Sequence, residues 1–386
     1  MDFELSEKAI DFRSQVKKFI SENLTSEIIS KMHETGTFND KSFNESLASE
    51  GLLAGAVPGY GDRDPVELYV LFNELEKAGA PYDGLAVTML VAGVINAVGT
   101  EFHHEEVLNK LLSGKHNCCL GYSEPDYGSD VASITTKAEK IGNKWIINGQ
   151  KMWTTMAHES DWVLLLTRTN SEVPKHKGMT MFLVPMNTPG IEIQPVATMA
   201  SERTNATFYD NVEVEDQWRL SEVDDGWSVM GIALALERGV MGGTNPAVPL
   251  LKHVLNWAET TPSKNKRLLI NDALMRERIA RTAIINQVGQ LLTLRAAWIA
   301  ATGGMPGVEG SMAKIYASEE YQKVVGWFQQ MAGAEGLLSF GAEDAAASGW
   351  IDYDARHAPV TTIYGGTSEI NRNNIAERHL GLPRSR

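Results

Sequence analysis

One stretch of this sequence, residues 120–155, carries side chains that could bind a flat heterocycle or a phosphate. Small residues at a turn, Ser123, Gly128 and Ser129, can offer hydroxyls and backbone N–H groups to such a ligand. Further along, Trp153 can stack on a ring and Thr155 can hydrogen-bond to the edge of that ring. These residues predict a shelf for a cofactor such as a flavin, although a tryptophan in a strand is more often part of a core.

The same stretch has the pattern of a β-sheet. A strand-like run covers residues 118–124, and two runs of alternating polar and apolar residues are joined by Gly142-Asn143, a pair typical of a tight hairpin. Apolar runs at 162–166 and 179–184, with a turn at Pro189-Gly190, extend the pattern. We therefore predict a small, mostly antiparallel sheet with helices before and after it in the chain.

The order of these residues resembles a known family. Tyr-Ser-Glu-Pro-x-x-Gly-Ser-Asp followed by Asn-Gly-x-Lys-x-Trp-x-Thr is similar to the flavin-binding sheet of acyl-CoA dehydrogenases, and the resemblance extends over nearly the whole chain. It implies that the chain binds FAD and converts an acyl-CoA thioester to the trans-2-enoyl-CoA. The residues implied to contact the cofactor are Leu120, Tyr122, Ser123, Trp153 and Thr155 at the isoalloxazine ring, and Gly128 and Ser129 on the pyrophosphate side.

The resemblance also indicates which residue removes the α proton. Many members carry the base as the glutamate of a Tyr-Glu-Gly-Thr turn, but this chain has Gly365 at that place and can offer only a backbone N–H to the thioester carbonyl. A second group, including isovaleryl-CoA dehydrogenases, carries its glutamate in a Leu-Glu-Arg sequence on the long helix after the sheet. This chain has Glu237 in that sequence, so we expect Glu237 to be the base and Arg238 to contact substrate.

The neighbours of Glu237 agree with that role. Ala233, Leu234, Val240 and Met241 lie three or four residues away, so on a helix they share its face. Apolar surroundings would raise the pKa of the carboxyl group toward working pH, as a general base requires. Without the family comparison, an ordinary surface pair of Glu237 with Arg238 is the more common arrangement.

The motifs that would hold the adenosine half of a neighbouring subunit's FAD depart from the family pattern. The usual Arg-x-x-Phe-Gly is replaced between Thr261 and Arg267, although Lys264 or Arg267 could supply the cation. A Gln-x-x-Gly-Gly-x-Gly turn keeps Gln330 and Gly333 but has alanine at the second glycine. The C-terminal motif is intact, with Thr367 as a helix N-cap and, with Glu369, an implied FAD contact.

These departures suggest that a related chain completes the cofactor site. The motifs predict an oligomer, homomeric or heteromeric, and most simply an α2β2 tetramer with a related chain, as in steroid side-chain acyl-CoA dehydrogenases, which the C-terminal segment resembles. Placement of the base on the long helix favours branched or steroid-derived acyl groups. Electron-transferring flavoprotein is the electron acceptor that the family implies. Two alternatives to an acyl-CoA dehydrogenase stay open. The chain could be a non-catalytic subunit that only completes a partner's FAD site, or it could be a flavin monooxygenase or nitroalkane oxidase on the same fold.

Composition limits the other function classes. In 386 residues the formal net charge is -14, which argues against nucleic acid or an anionic membrane surface as a partner.

The two cysteines, Cys118 and Cys119, are adjacent in a predicted strand, and we predict that they are buried thiols in a reducing compartment. The start of the sequence has no secretory pattern and no run long enough to span a membrane, which predicts a cytoplasmic protein. We expect no metal site, because residues 103–106, His-His-Glu-Glu, read as a solvated helix face.

The fold that these patterns predict is a multidomain α+β protein with the acyl-CoA dehydrogenase plan. We expect an N-terminal helical domain at 1–116, a small antiparallel β-domain at 117–224 that bears the flavin shelf, and a C-terminal four-helix bundle at 225–386. No Gly-x-Gly-x-x-Gly follows a strand, so dinucleotide binding by a doubly wound sheet is not expected.

Overall fold

The structure is a computed structural model that describes residues 4–57, 60, 65–240, 245–263, 265–302, 304 and 307–384, apart from the side chains at 56, 65, 238–240 and 300. The chain divides into two compact units. The first consists of Lys8–Leu71 and Pro81–Glu237, and we call it the sheet unit. The second, the bundle unit, consists of Met1–Glu7, Phe72–Ala80 and Arg238–Arg386.

Helices make up the chain before the sheet, as predicted. Their bounds are α1 Glu7–Asn23, α2 Ser26–Thr35, α3 Lys41–Ser49, α4 Pro65–Ala78, α5 Asp83–Val98, α6 Glu101–His103 and α7 Asn109–Leu112, with a π-helical turn at His104–Leu108. Phe12, Val16 and Phe19 of α1 are buried on one face. Pro65 is the first residue of α4. Most residues of α5 are buried.

The sheet has eight strands. Their bounds are β1 Cys118–Gly121, β2 Lys137–Ile141, β3 Lys144–Lys151, β4 Trp162–Arg168, β5 Met179–Pro185, β6 Ile191–Ala197, β7 Arg203–Glu215 and β8 Arg219–Leu220. The order is β6-β7-β3-β2-β4-β5-β8, and β1 pairs with β4 in parallel. The pairs β2–β3, β3–β7, β4–β5, β5–β8 and β6–β7 are antiparallel, so the predicted mostly antiparallel sheet is confirmed.

The predicted hairpin is present in this sheet. β2 and β3 pair directly across Gly142 and Asn143, and Gly142 has the positive φ of 62° that a tight turn requires. Trp145 and Ile147 of β3 point into an apolar core under the sheet. Helix α5 is joined to β1 by a hydrogen bond in which the Cys118 N–H donates to the Thr88 hydroxyl at 3.0 Å.

Helices return after the sheet. Their bounds are α8 Gly226–Val240, α9 Ala247–Thr260, α10 Ala273–Ala301, α11 Glu309–Ala332, α12 Trp350–Thr361 and α13 Ser368–Arg378. Residues of α9, α10, α11 and α12 form one apolar core that includes Trp257, Tyr321 and Phe328, and α13 packs on α11. The predicted C-terminal four-helix bundle is therefore confirmed, with α13 as an addition.

Two details differ from what the sequence predicts. The run 118–124 is a strand only as far as Gly121, because Glu124 and Tyr127 exchange two backbone hydrogen bonds that form a turn instead. His103 is fully buried rather than solvated, and its Nδ1 accepts a hydrogen bond from the Thr100 N–H at 3.1 Å.

No helix among the described residues has both the length and the apolar character needed to cross a membrane.

Candidate active site

Two segments of the sheet unit carry the residues predicted to contact the ring, and we call them the ring-contact segments, 120–123 and 153–155. The first follows from β1 into the turn and the second follows β3. They are joined by a backbone hydrogen bond in which the Met152 N–H donates to the Ser123 carbonyl at 2.9 Å. Residues 30 positions apart in the sequence are thereby brought to one end of the sheet, as the hypothesis of a shelf requires.

Trp153 has the conformation and exposure expected of a ligand contact. Its φ is 62°, in the left-handed region that a bulky residue rarely adopts, and 59% of the residue is exposed. Residues held in such sparsely populated backbone conformations cluster at active sites and ligand-binding sites, and a residue with this exposure is not part of a core. The core alternative for Trp153 is therefore wrong.

The rest of the second segment alternates between buried and exposed. Thr154 is fully buried, whereas Thr155 is exposed, and its hydroxyl lies 3.2 Å from that of Thr204. A hydroxyl has one donor and two acceptor positions, so a hydrogen bond to a neighbour leaves others for a ligand. Trp153 and Thr155 are thus presented to solvent from the same short segment.

The predicted phosphate contacts, Gly128 and Ser129, are exposed in the turn after β1. A Cβ built onto Gly128 would meet no protein atom within 4 Å, and the residue does not have a positive φ. The fold itself therefore gives no reason for glycine there, while close approach of a phosphate to the backbone would. This observation fits the pyrophosphate of FAD.

Tyr122 connects the shelf with the predicted base. Its hydroxyl is inaccessible to solvent and has no hydrogen-bond partner among the described residues. Burial first and the Glu237 carboxylate second raise the pKa of Tyr122 well above its usual value of 10. Both residues belong to the sheet unit, and the effect of Glu237 on this pKa indicates that it lies near the first ring-contact segment.

Glu237 itself is half-buried near the end of α8. Of its predicted apolar neighbours, Ala233 is buried and Leu234 is half-buried. Met241 and the side chains of Arg238 and Val240 lie outside the described part, and so does the predicted substrate contact of Arg238. A side chain in this setting has partial shelter from water, which suits a proton acceptor better than a solvated surface pair does.

The remaining predicted residues lie in the bundle unit. Gly365 and Gly366 both have positive φ, 64° and 81°, and both are exposed. Asn371, which is buried, donates from Nδ2 to the carbonyls of Gly366 and Thr367 at 2.8 and 3.1 Å. This turn therefore has a fixed backbone conformation, as a backbone hydrogen-bond donor to substrate requires.

Thr367 is the N-cap of α13, as predicted, since its hydroxyl accepts from the Ile370 N–H at 3.2 Å. Thr367, Glu369 and Arg372 line an open groove of about 710 Å³ against α11. Arg372 forms an ion pair with Glu319 at 2.8 Å in the same groove. The groove offers both cationic and hydroxyl donors, which suit a phosphate or a ribose.

The motifs predicted to contact a neighbour's adenosine are exposed. Gln330 lies on the last turn of α11, and Gly333 ends that helix with a φ of 61°. Between Thr261 and Arg267 the chain forms a tight turn, in which the Ser263 N–H donates to the Arg267 carbonyl at 2.7 Å. Lys264 lies outside the described residues, and Arg267 is exposed.

Sequence reasoning missed the polar residues that hold the ring-contact segments. Glu124 and Lys151 form a buried ion pair at 2.9 Å, and Asn205 bonds to Thr154. The available signal was the presence of Glu124 and Lys151 within the two family motifs, but the motifs gave no indication that the two side chains meet.

Comparison with known proteins decides the family. Models of the acyl-CoA dehydrogenase N-terminal, middle and C-terminal domains match residues 6–115, 119–212 and 224–380. The chain belongs to the acyl-CoA dehydrogenase family. The predicted three-part fold is confirmed. Membership of the family also confirms the predictions of a FAD-dependent flavoprotein and of an oxidoreductase. The domain boundaries at 116–117 and 224–225 stay predictions.

Relatives of this chain include a mycobacterial acyl-CoA dehydrogenase and solved structures of a steroid ACAD and a mycobacterial complex. The acyl-CoA dehydrogenase FadE34 of Mycobacterium tuberculosis (strain ATCC 25618 / H37Rv) is 35% identical over 94% of this chain, and the chain spans only 49% of that relative's length. Among solved structures, the Tcur3481-Tcur3483 steroid ACAD is 28% identical with a TM-score of 0.89, over 100% of both chains. The ChsE4-ChsE5 complex from Mycobacterium tuberculosis is 27% identical with a TM-score of 0.88, again over 100% of both chains.

Proposed function

We propose that this chain catalyses the FAD-dependent α,β-dehydrogenation of an acyl-CoA thioester, with Glu237 as the base. The observation that supports the proposal is the position of Glu237, which is half-buried on α8 and near enough to Tyr122 to contribute, after burial, to the raised pKa of that residue. Gly365 has no side chain, so the alternative position for a base in this family cannot supply one.

Each residue has a separate task in the proposed reaction. Glu237 accepts the α proton, and the Gly365 N–H donates a hydrogen bond to the thioester carbonyl, where negative charge develops as the proton leaves. Bound FAD supplies the acceptor for the β hydride. Trp153 and Thr155 hold the ring in place, and the product is the trans-2-enoyl-CoA.

The remaining cofactor contacts follow from the chemistry of the exposed groups. Leu120, Tyr122 and Ser123 form the other side of the ring site. The backbone N–H groups of Gly128 and Ser129 donate hydrogen bonds to the pyrophosphate. Thr367 and Glu369 offer hydrogen-bonding groups in the groove of the bundle unit, while Gln330 and Gly333 reach a neighbouring chain's FAD. Arg238 contacts the substrate.

The acyl group that we propose is branched or steroid-derived. The base on the long helix supports this choice, and so does the description of one structural relative as a steroid ACAD. A glycine at 365 leaves space that a glutamate side chain would occupy in other members of the family, and a bulky acyl group could use that space.

The direct test is anaerobic reduction of the flavin. The purified protein is mixed with a panel of CoA thioesters, straight-chain, branched and steroid-derived, and the loss of flavin absorbance is followed, with oxygen consumption measured in parallel in air. Bleaching without oxygen, fastest with branched or steroid-derived esters, is expected. Bleaching by no member of the panel would favour the subunit that only completes a partner's site, and substrate-dependent oxygen uptake would favour a monooxygenase or oxidase.

We also propose that the chain works in an α2β2 tetramer with a related chain. The altered residues between Thr261 and Arg267 and at Ala334 support a partner that supplies the missing adenosine contacts. The relative described as the ChsE4-ChsE5 complex is itself a pair of unlike chains. Electron-transferring flavoprotein as acceptor and a cytoplasmic location are further parts of the proposal.

A further inference from the structure

A buried ion pair lies directly behind the two ring-contact segments. Lys151 Nζ is 2.9 Å from Glu124 Oε1, and the two residues are 1% and 4% exposed. Glu124 follows the first ring-contact segment and Lys151 precedes the second. Neither side chain is exposed enough to contact a ligand on the shelf.

The pair is connected to the backbone on both sides. Lys151 Nζ also donates to the Tyr122 carbonyl at 3.1 Å, within the first ring-contact segment. The carboxylate of Glu124 accepts from the Thr135 N–H and hydroxyl at 2.7 and 2.8 Å, and from the Thr136 N–H at 2.8 Å. The turn after β1, the start of β2 and the end of β3 are thus held by two side chains.

Both charges are retained at neutral pH. Burial would raise the pKa of Glu124, but the Lys151 ammonium and the hydrogen bonds from Thr135 and Thr136 outweigh burial and lower the pKa to about 2. Burial lowers the pKa of Lys151 to about 8, although Glu124 opposes that change. The nearby Arg168 guanidinium acts in the same direction as burial on Lys151.

A pair of this kind needs a reason other than stability. Removing two charges from water is unfavourable, and well-packed apolar residues of similar size often give equal or greater stability. A fully hydrogen-bonded buried pair does fix one geometry, because each partner accepts only a narrow range of positions. The geometry that this pair fixes is the separation between residues 120–123 and 153–155.

We propose that the Glu124–Lys151 ion pair is a positioning device for the flavin ring, holding the two ring-contact segments at the separation that the ring requires. The inference rests on the proposed placement of FAD on this shelf. Glu124 and Lys151 act through the segments and touch neither the cofactor nor the substrate.

The test uses three variants of the FAD-loaded protein: Glu124→Gln, Lys151→Met and the double variant Glu124→Gln/Lys151→Met. Dissociation of FAD on dilution is followed by the rise in flavin fluorescence, and the visible flavin spectrum and melting temperature are recorded. Each single variant leaves an unpaired polar group and should melt lower. The double variant removes both charges at nearly constant volume, so its melting temperature should recover toward that of the wild type.

The readout that decides the matter is FAD affinity in the double variant. We expect FAD to dissociate at least ~10-fold more readily than from the wild type, with a shifted flavin spectrum, even though stability has recovered. Recovery of FAD affinity together with the melting temperature would mean that the pair is only structural. A wild type that holds no FAD even together with its partner chain would instead overturn the proposed function.

A control site lies at the other end of β3, where Trp145 of that strand meets Asp216, the residue after β7. Asp216 accepts a hydrogen bond from Trp145 Nε1 at 2.6 Å near the start of β3, whereas Lys151 ends that strand. The two sites are roughly 20 Å apart at 3.3 Å per residue. Asp216→Asn should lower the melting temperature and leave FAD dissociation and the flavin spectrum unchanged, whereas loss of FAD from this variant would show that any damage to the sheet releases the cofactor.

Discussion

Asn205 is hydrogen-bonded to both backbone polar groups of Thr154. The Thr154 N–H donates to the Asn205 carbonyl at 2.8 Å, and Asn205 Nδ2 donates to the Thr154 carbonyl at 3.0 Å. Both residues are fully buried. Because Thr154 stands between Trp153 and Thr155, these two bonds hold the second ring-contact segment and stabilise the left-handed conformation of Trp153.

Asn205→Leu keeps the side-chain volume nearly constant and removes the amide donor to Thr154. A buried carbonyl without its donor should lower the free energy of unfolding by about 1–3 kcal/mol. Because Trp153 is then less firmly held, FAD should also dissociate faster. Urea unfolding and the release of flavin fluorescence on dilution measure the two effects. The exposed Asn187→Leu is the control and should change neither quantity by much. Unchanged FAD release from Asn205→Leu would show that Asn205 does not act on the ring site.

The sequence predicted the parts of this structure that depend on local chemistry. Gly142-Asn143 specifies its own turn, and Thr367 caps the helix that begins immediately after it, so both features follow from neighbouring residues. The adjacent cysteines were predicted as buried thiols, and burial indeed raises the pKa of Cys119 to about 12.

The sequence could not show which polar residues, far apart in the chain, lie in contact in the folded protein. Glu124 and Lys151 both stand within the family motifs, but glutamate and lysine are rarely buried, so the motifs did not indicate that the two side chains meet. The two residues are far apart in the chain and come together only when the sheet forms. His103 was predicted to lie on a solvated face because adjacent histidines on a helix point in different directions, but it is fully buried. The family resemblance named Tyr122 as a ring contact, but it gave no indication that Glu237 acts on its buried hydroxyl.

Glu237→Gln should abolish dehydrogenation while FAD stays bound. The substitution keeps the shape of the side chain and removes the basic carboxylate, and loss of a general base should slow the reaction at least ~100-fold. The rate of anaerobic flavin bleaching at saturating acyl-CoA measures it. The control is Glu222→Gln, whose side chain is 92% exposed in the same unit and which should react as the wild type does. Turnover of Glu237→Gln within a few-fold of wild type would remove Glu237 from the mechanism.

Moving the carboxylate, as Gly365→Glu in a Glu237→Gly background, should restore only partial activity and favour straight-chain substrates. The new side chain occupies space that a branched acyl group could use. It also has to adopt the φ of 64° found at Gly365, which is unfavourable by about 1–2 kcal/mol for a residue with a Cβ. The substrate ranking in the bleaching assay is the measurement, and Gly365→Ala separates backbone strain from the effect of the carboxylate. An unchanged ranking would contradict this account of the pocket.

The stability of the protein in acid should depend on Glu124. Its pKa in the folded chain is about 2, against 4.5 as its ordinary value, so between these pH values the unfolded chain binds a proton that the folded chain does not. The contribution of Glu124 is therefore complete above pH 4.5 and is lost as the pH falls toward 2. The free energy of unfolding in urea is measured across this pH range. As the pH falls, it should decrease less steeply for Glu124→Gln than for the wild type. The difference in slope should correspond to the uptake of up to about one proton on unfolding. Equal slopes would show that Glu124 is not held as an ion in the folded chain.

Expressed alone, the chain should hold FAD weakly, and a related partner chain should restore tight binding. In a homotetramer every chain is also the neighbour, so each FAD would lack the arginine and phenylalanine contacts that the segment between Thr261 and Arg267 does not supply. One or two missing hydrogen bonds or stacks are worth roughly 1–3 kcal/mol, which loosens FAD by about tenfold or more. Arg267 is exposed and could replace the missing cation, so Arg267→Ala in the chain expressed alone tests whether it does so. Native mass and FAD content, measured with and without the partner, decide the matter. A stable homotetramer with one tightly held FAD per chain, active by itself, would rule out the α2β2 assembly.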